Sequence, residues 1–176
     1  MVAPQGQQTR PTSDRLRETL FNVVAPYIEG TIWLDLFAGS GAVGIEALSR
    51  GASSVYFVES AGMAIRTIRR NLQTLGISAE ANVLEQDVIT ALRTIEAQNV
   101  GCDFAFLDPP YRKLGDYDRV LSFLSRSQLL NFGAQVIAEH DKHFDPGDAF
   151  ELLQRQRILR QGDAVLSFYA RRSEAE

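Results

Sequence analysis

Residues 34–44 have the sequence Leu34-Asp35-Leu36-Phe37-Ala38-Gly39-Ser40-Gly41-Ala42-Val43-Gly44, and this stretch decides the fold. The apolar density of residues 32–37 predicts a buried strand. Glycines 39, 41 and 44 follow it with the spacing G-x-G-x-x-G, which permits a tight turn and a close approach of the backbone to a ligand. A helix is predicted from there to Arg50, where Gly51 ends it. The stretch therefore predicts a strand, a ligand-binding turn and a helix in direct succession.

Strand and helix signals alternate on both sides of this unit. A helix is predicted from the capping residues 11–14 to Pro26. Further strands are predicted at residues 55–58, 81–84, 104–107 and 134–138, with helices at 61–75, around 88–95 and at 117–125. Two last strands, residues 150–159 and 164–170, are joined by a turn at Gln161-Gly162-Asp163. This order predicts an α/β fold: a doubly wound, mostly parallel seven-stranded sheet with helices on both faces and a C-terminal antiparallel hairpin.

The length and composition set the broad class. A chain of 176 residues is expected to form one domain, here residues 10–176, preceded by a flexible polar tail at residues 1–9. Cys102 is the only cysteine and there are two histidines, so neither a disulfide framework nor a metal site is expected. No secretion signal or apolar run of membrane length is found, so a cytoplasmic protein without a membrane partner is expected.

The charge balance restricts how the protein can meet nucleic acid. The net charge is −4 and the sequence pI is near 5.3, which argues against a general nucleic-acid coat. Of the 18 basic residues only Lys113 and Lys142 are lysines, and the others are arginines suited to bidentate phosphate contacts. Any contact with nucleic acid is therefore expected to come from local arginine clusters.

Acidic residues mark the ends of successive predicted strands. Asp35 lies within the first strand, where a carboxylate suits a cationic ligand better than a pyrophosphate. Glu59 ends the second strand 20 residues after Gly39 and can accept hydrogen bonds from ribose hydroxyls. Asp87 follows the third strand, where it can meet an adenine amino group. Nicotinamide, flavin and S-adenosylmethionine sites share the glycine spacing, but this acid set favours S-adenosylmethionine.

The residues predicted to bind that ligand are Asp35, Phe37, Ala38, Gly39, Ser40, Gly41, Gly44, Glu59, Ser60, Asp87 and Val88.

The fourth of these strands delivers Asp108-Pro109-Pro110-Tyr111 at its carboxyl end. An exocyclic amine on a base is a poor nucleophile because its lone pair is delocalised into the ring. Acceptors aimed at its N–H groups stabilise the positive nitrogen of the transition state, and Asp108 and the Pro109 carbonyl can supply them. Pro109 and Pro110 stiffen the loop and donate no N–H, and Tyr111 can stack on the base. We therefore predict these four residues as the catalytic set; the alternative is a plain Pro-Pro turn.

The glycine loop, Glu59, Asp87 and the Asp108–Tyr111 loop together resemble class I S-adenosylmethionine-dependent methyltransferases that act on base amino groups. Within that class, Arg10-Pro11-Thr12-Ser13-Asp14-Arg15-Leu16-Arg17-Glu18-Thr19-Leu20-Phe21 and residues 34–41 resemble the bacterial 16S ribosomal RNA guanine-N2 methyltransferases. The resemblance runs from Arg10 to about Arg171. It implies the seven-stranded fold, S-adenosylmethionine as donor and S-adenosylhomocysteine as product. It also implies a guanine of 16S rRNA in the small ribosomal subunit as target. A monomer without a metal is expected.

Five basic residues are predicted to hold the RNA: Arg10, Arg15, Arg17, Arg112 and Lys113. The pair Arg112-Lys113 directly follows Tyr111 and can hold phosphates beside an unstacked base. Members of the resembling family usually carry a basic β-hairpin before the opening motif, whereas nine polar residues precede Arg10 here. Further arginines at 155, 157 and 160 lie on the penultimate predicted strand, where a solvated surface is the alternative reading.

Three other functions stay open on sequence grounds. A DNA adenine-N6 methyltransferase shares the Asp-Pro-Pro-Tyr loop, although it normally has added segments that read the DNA sequence. A nicotinamide-dependent oxidoreductase shares the glycine spacing, but Asp35 and the Pro-Pro loop argue against it. A binding module that keeps the fold without catalysis is the third.

Overall fold

The computed structural model of the protein describes residues 11–172, so the predicted tail and Arg10 lie outside the described residues. Five helices are described: α1 (Pro11–Val24), α2 (Ala42–Ser49), α3 (Gly62–Thr74), α4 (Val88–Ala97) and α5 (Gly115–Arg126), with a short 3₁₀ helix at Ala25–Tyr27. The described strands are β1 (Ile32–Leu36), β2 (Ser54–Glu59), β3 (Ala81–Glu85), β4 (Cys102–Leu107), β5 (Leu130–Asp141), β6 (Ala149–Phe150), β7 (Leu153–Gln161) and β8 (Ala164–Arg171).

The strands form one sheet in the order β3-β2-β1-β4-β5-β8-β7-β6. Strands β1 to β5 are mutually parallel, and β6, β7 and β8 pair antiparallel. The predicted doubly wound sheet with a C-terminal antiparallel hairpin is confirmed. The strand order reverses between β1 and β4, and such a switch point leaves a crevice at the carboxyl ends of the strands where ligands bind.

The sheet has eight strands rather than the predicted seven. The predicted strand at residues 150–159 is interrupted because Glu151 takes a positive φ of 39° and turns the chain. The two-residue β6 on one side of this turn then pairs with β7 on the other, through Phe150 and Leu153. Strand β5 is also longer than predicted, and its extension past Ala138 places Glu139 at the crevice.

Helices cover both faces of the sheet, as the alternation predicted. On one face α4 and α5 pack over β1, β4 and β5, and on the other α1, α2 and α3 pack over β1, β2 and β4. Trp33 of β1 is fully buried and stacks between Phe21 of α1 and Phe104 of β4, at ring-centroid distances of 5.5 and 4.6 Å. These stacked rings fix α1 against the sheet. Across residues 11–172, the helices lack the length and apolar character that crossing a membrane requires.

Candidate active site

A cleft of about 580 Å³ lies at the carboxyl ends of β1, β2, β3 and β4, and we call it the glycine-loop cleft. It is lined by 14 residues predicted for the site: Asp35, Phe37, Ala38, Gly39, Ser40, Glu59, Ser60, Asp87, Val88, Asp108, Pro109, Pro110, Tyr111 and Lys113. Its wall also includes Asp116 and Glu139, so six carboxyl groups face it and Lys113 is the one cationic side chain among its described lining residues. This lining gives the cleft a negative potential, which is moderated where Arg119 pairs with Asp87 and Asp116 at 3.6 and 2.7 Å.

The loop after β1 is held in a conformation that uses left-handed backbone. Phe37, Gly39 and Gly41 have φ values of 60°, 58° and 80°. A positive φ is unusual for phenylalanine and occurs where surrounding structure enforces it. The Gly39 N–H donates a hydrogen bond of 2.9 Å to Oε2 of Glu59, and the Gly41 N–H donates to the Ala38 carbonyl at 2.8 Å. These bonds fix the loop across the ends of β1 and β2.

Gly41 and Gly44 do not line the cleft, although the sequence predicted both as ligand-binding residues. Gly44 lies in α2 against β2, and a Cβ there would lie 2.4 Å from Cε1 of Phe57 and 2.8 Å from Cγ1 of Val55. Gly41 needs its positive φ to begin α2. The structure therefore uses these two glycines for helix–sheet packing and for the turn, and only Gly39 reaches the cleft.

Asp35 is a buried carboxyl group at the base of the cleft, with 2% of its surface exposed. Its Oδ2 accepts a hydrogen bond of 2.9 Å from the Gly44 N–H. Burial raises the pKa of Asp35 to about 8, the Gly44 hydrogen bond lowers it, and the charges of Asp108 and Glu59 raise it further. A cation bound beside Asp35 would offset the desolvation of its carboxylate and the repulsion from Asp108 and Glu59.

Glu59 and Asp87 both organise backbone around the cleft. Besides Gly39, Glu59 accepts hydrogen bonds from the N–H groups of Ser60 and Ala61 at 3.0 and 3.1 Å. Asp87 is the N-cap of α4, since its Oδ2 accepts from the Ile89 N–H at 3.2 Å. Each carboxylate keeps further acceptor capacity, because it can accept about four hydrogen bonds.

The loop from Asp108 to Tyr111 separates the glycine-loop cleft from a second cavity. The Lys113 N–H donates to the Pro110 carbonyl at 2.8 Å and closes the turn, and the Tyr111 side chain is 85% exposed. The second cavity has a volume of about 690 Å³, and Asp108, Pro109 and Tyr111 line both spaces. A group bound in either space would therefore contact this loop.

We call the second space the Tyr117 cavity. Its walls include the rings of Tyr117 and Phe144, 5.0 Å apart between centroids, and the carboxyl groups of Asp108, Glu139, Asp141 and Asp163. Within the described part of the chain, neither arginine nor lysine lines it. Aromatic walls and acceptor groups suit a flat ring that carries hydrogen-bond donors.

Sequence reasoning missed Glu139, Tyr117 and Phe144. A signal for Glu139 was present, because it directly follows the apolar run 134–138 just as Asp108 follows 104–107. The register pairs Leu107 with Ala138, so Asp108 and Glu139 leave neighbouring strands at the same level. The pKa of each carboxyl is raised, because surrounding protein atoms reduce its hydration. The charge of Asp108 raises the pKa of Glu139 further. Tyr117 and Phe144 carry no comparable pattern, since apolar and aromatic residues are more often core than site.

The predicted basic residues fall into different places. Arg17 on α1 is partly buried, pairs with Asp14 at 3.3 Å, and lines a small cavity of about 50 Å³ together with Glu139. Arg15 and Arg112 are exposed, and neither lines the cleft or the Tyr117 cavity. Lys113 lines the cleft, and Arg10 lies outside the described residues.

Arg155 is a structural residue rather than part of an open cationic surface. Its side chain is only 7% exposed and pairs with Asp145, 2.7 Å away, and with Asp148. It also donates to Oγ of Ser167 at 3.2 Å. These contacts hold the loop between β5 and β6 against the sheet, and this loop carries Phe144 into the Tyr117 cavity. The prediction of a solvated or RNA-facing surface is therefore wrong for Arg155.

Comparison with known proteins identifies the family. Residues 1–170 match the family described as "Conserved hypothetical protein 95". The chain is 39% identical over 178 residues to the Escherichia coli K12 protein named "Ribosomal RNA small subunit methyltransferase D", covering 100% of this chain and 86% of that protein. This chain belongs to the ribosomal RNA small subunit methyltransferase D family. It is accordingly a methyltransferase, and the sequence resemblance to this family is confirmed.

Solved structures agree with the family assignment. The candidate methyltransferase YhhF from Escherichia coli superposes with a TM-score of 0.83 at 30% identity, over 97% of this chain and 90% of that chain. A more distant structure, the candidate methyltransferase SMU.776 complexed with SAH, has a TM-score of 0.68 at 15% identity, over 88% of this chain and 49% of that chain. The second likeness shows a shared fold. Both solved structures thus share the fold of this chain.

Proposed function

We propose that the protein transfers a methyl group from S-adenosylmethionine to the exocyclic N2 amine of a guanine in 16S rRNA, within the small ribosomal subunit or its assembly intermediate. The observation that carries the proposal is the position of Asp108-Pro109-Pro110-Tyr111 between two spaces, the acid-lined glycine-loop cleft and the aromatic Tyr117 cavity. One space suits a cationic methyl donor and the other a flat base. The relatives named as small-subunit rRNA methyltransferases supply the class of RNA.

The charge of the cleft favours S-adenosylmethionine over a dinucleotide. The donor carries a sulfonium and an ammonium group, whereas a nicotinamide dinucleotide carries a pyrophosphate. Carboxyl groups outnumber the single lysine among the described lining residues, and those that are ionised would repel the pyrophosphate and attract the cation. Asp35 is the group we assign to the ammonium end, because it is buried and one of its oxygens has no partner among residues 11–172.

Glu59 and Asp87 are assigned to the nucleoside part of the donor. Glu59 already accepts hydrogen bonds from the backbone at Gly39, Ser60 and Ala61. These bonds hold its carboxylate in place, and its remaining acceptor capacity is assigned to a ribose hydroxyl. Asp87 stands at the start of α4 beside Val88, where it can accept from an adenine amino group. Phe37, Ala38, Ser40 and the Gly39 backbone form the floor between these acids.

The loop at Asp108 is assigned to the reacting amine. When bound, S-adenosylmethionine supplies an electrophilic methyl group. Asp108 and the Pro109 carbonyl accept hydrogen bonds from the amine, which turns its lone pair out of the ring and stabilises positive charge on nitrogen. As the nitrogen–carbon bond forms and the sulfur–carbon bond breaks, the nitrogen becomes positively charged and has to lose one of its two protons, which the Asp108 carboxylate is placed to accept. The raised pKa of Asp108 favours this acceptance.

The target base has to leave its stack to reach the loop, as other base-modifying enzymes require. Tyr111 is exposed at the mouth of both spaces and can stack on the base as it enters. Arg112, Lys113, Arg15 and Arg17 are assigned to phosphates around the entrance. The protein is expected to act as a cytoplasmic monomer.

A substrate comparison tests the proposal. The protein and labelled S-adenosylmethionine are incubated with one of three substrates at a time. The substrates are small subunits from cells that lack this methylation, naked 16S rRNA and duplex DNA. We expect label in the small subunit or its RNA. Label confined to duplex DNA would instead identify an adenine-N6 methyltransferase, and failure to bind the donor in a calorimetric titration while NAD binds would support an oxidoreductase.

A further inference from the structure

We propose that Glu139 determines specificity for guanine by accepting a hydrogen bond from the N1–H of the target base while Asp108 accepts one from its N2 amine. The inference rests on the proposed function and deepens it. It is carried by the relative position of two carboxyl groups, by their lack of protein partners and by the cavity they share.

The register of the sheet places the two carboxyl groups side by side. Leu107 of β4 pairs with Ala138 of β5 in parallel, so Asp108 and Glu139 are the next residues on two strands roughly 4.8 Å apart. Glu139 lines the glycine-loop cleft, the Tyr117 cavity and the small cavity beside Arg17. It therefore stands where the cleft and the cavity join, next to the loop assigned to the amine.

Neither carboxyl group is used by the protein itself. Within residues 11–172, the side chains of Asp108 and Glu139 have no hydrogen-bond or ion-pair partner. Asp108 is exposed and Glu139 is half-buried, so both carboxyl groups open onto the cavity and are free to accept hydrogen bonds from a bound base. Donors placed between the two groups would satisfy both and relieve their mutual repulsion.

The backbone at Glu139 is also fixed. Tyr117 is buried in α5, and its Oη donates a hydrogen bond of 2.5 Å to the Glu139 carbonyl. This bond ties the wall of the Tyr117 cavity to β5 at the residue whose side chain enters the cavity. A base that packs against Tyr117 would therefore contact the Glu139 carboxyl at a position fixed by this hydrogen bond.

Guanine has two adjacent donors on one edge, N1–H and the N2 amine, which match two adjacent acceptors. The two donors of guanine favour the ionised form of both carboxyl groups, whereas adenine places its N6 amine beside N1, a lone pair that would repel an ionised Glu139. A site built to accept a substrate N–H rejects an analogue that lacks it, because the acceptor is then left buried without a partner. Glu139 would thus distinguish the two purines through N1, an atom that takes no part in the transfer.

The test compares three enzymes on two substrates. Once the methylated guanine is mapped, small subunits are reconstituted with 16S rRNA carrying either guanine or 2-aminopurine at that position. 2-Aminopurine keeps the N2 amine and lacks the N1–H. Initial rates give kcat/KM for the wild type, Glu139→Gln and the matched control Glu151→Gln, whose side chain is exposed and paired with Arg126 outside both spaces. Calorimetric titration with S-adenosylmethionine checks that every variant is folded.

We expect the wild type and Glu151→Gln to prefer guanine by at least 10-fold, and Glu139→Gln to lose most of that preference, since a Gln amide can donate to the bare N1. An unchanged preference in a donor-binding Glu139→Gln enzyme would overturn the inference. So would equal rates of the wild type on the two bases, a result that needs no variant. If the wild type methylates no guanine at all, the proposed function itself fails, and the two failures are distinguishable.

Discussion

The Oδ2 atom of Asp35 accepts a hydrogen bond of 2.9 Å from the backbone N–H of Gly44. This bond joins the last residues of β1 to the first turn of α2 across the glycine loop. It gives Gly44 a role that differs from the one its sequence position indicates, whereas Asp35 keeps a place in the lining of the cleft. Gly44 becomes a packing residue, and Asp35 becomes a buried acid whose second oxygen faces the cleft.

Replacing Asp35 with Asn should change how stability depends on pH. The folded pKa is raised from 3.8 to about 8, so between these values the folded protein holds a proton that the unfolded chain has lost. The contribution of Asp35 to the free energy of unfolding is therefore complete below pH 4 and falls as pH rises toward 8, by up to roughly 6 kcal/mol. Chemical denaturation of the wild type and Asp35→Asn across this range should show Asp35→Asn gaining relative stability as pH increases. A constant difference would contradict the raised pKa.

Binding of S-adenosylmethionine should release a proton at pH 7. A cation beside Asp35 favours the ionised carboxylate, so the pKa of Asp35 falls on binding. Calorimetry in two buffers of different ionisation enthalpy measures the proton number. Asp35→Asn should abolish the Asp35 contribution and weaken binding by about 10- to 100-fold. The control Asp118→Asn, an exposed acid of α5 outside the cleft, should release the same number of protons as the wild type.

Asp108→Ala should abolish methyl transfer while S-adenosylmethionine still binds. Removing an acceptor aimed at developing charge costs on the order of 10²- to 10³-fold in rate, whereas Asp35, Glu59 and Asp87 remain to hold the donor. Single-turnover transfer to small subunits and a calorimetric titration measure the two effects separately. Asp118→Ala serves as the control and should keep its rate. Transfer by Asp108→Ala at the rate of the wild type would remove Asp108 from the mechanism.

Gly44→Ala should destabilise the fold. The added Cβ would meet Phe57 at 2.4 Å and Val55 at 2.8 Å, both buried side chains of β2. Overpacking of this kind costs roughly 1–3 kcal/mol, read as a lower midpoint of urea denaturation. Gly115→Ala is the matched control, because a Cβ at the start of α5 meets nothing within 4 Å. Equal stability of the two variants would show that Gly44 is not required for packing.

Arg155→Met should lower stability and loosen the Tyr117 cavity. The variant leaves Asp145 and Asp148 without their guanidinium partner, at a cost of about 1 kcal/mol because both acids are exposed to water. The loop that carries Phe144 should then exchange its amide hydrogens faster, which hydrogen-exchange mass spectrometry measures. Arg160→Met, at an exposed position of the same strand, should leave both readouts unchanged. Unaltered exchange of residues 142–148 in Arg155→Met would mean that the loop is held by other contacts.

Much of this fold follows from local patterns. Apolar runs located β1, β2 and β4, and the alternation of strands and helices predicted the parallel sheet, because both signals depend on residues close in sequence. The break at Glu151 was not predictable, since a positive φ on glutamate arises from the pairing of β6 with β7 around it.

The site was predictable to a smaller extent. The residues at the ends of single strands, such as Glu59 and Asp108, could be identified one at a time. Glu139 and Arg155 depend on which strands become neighbours. The register of β4 with β5 brings Glu139 beside Asp108, and the fold of the loop after β5 buries the Arg155 guanidinium between two acids. Such relationships join residues distant in sequence, so neither motif spacing nor periodicity reveals them.

The central claim is that the Asp108 loop directs a methyl group to the N2 amine of a guanine in small-subunit rRNA. The most direct measurement digests small subunits after incubation with the protein and labelled S-adenosylmethionine, then identifies the labelled nucleoside by mass spectrometry and its position by fragment mapping. The account predicts N2-methylguanosine at one position of 16S rRNA, formed by the wild type and at least about 100-fold more slowly by Asp108→Ala. Label recovered in any other nucleoside, or the same product formed by Asp108→Ala at the rate of the wild type, would contradict it.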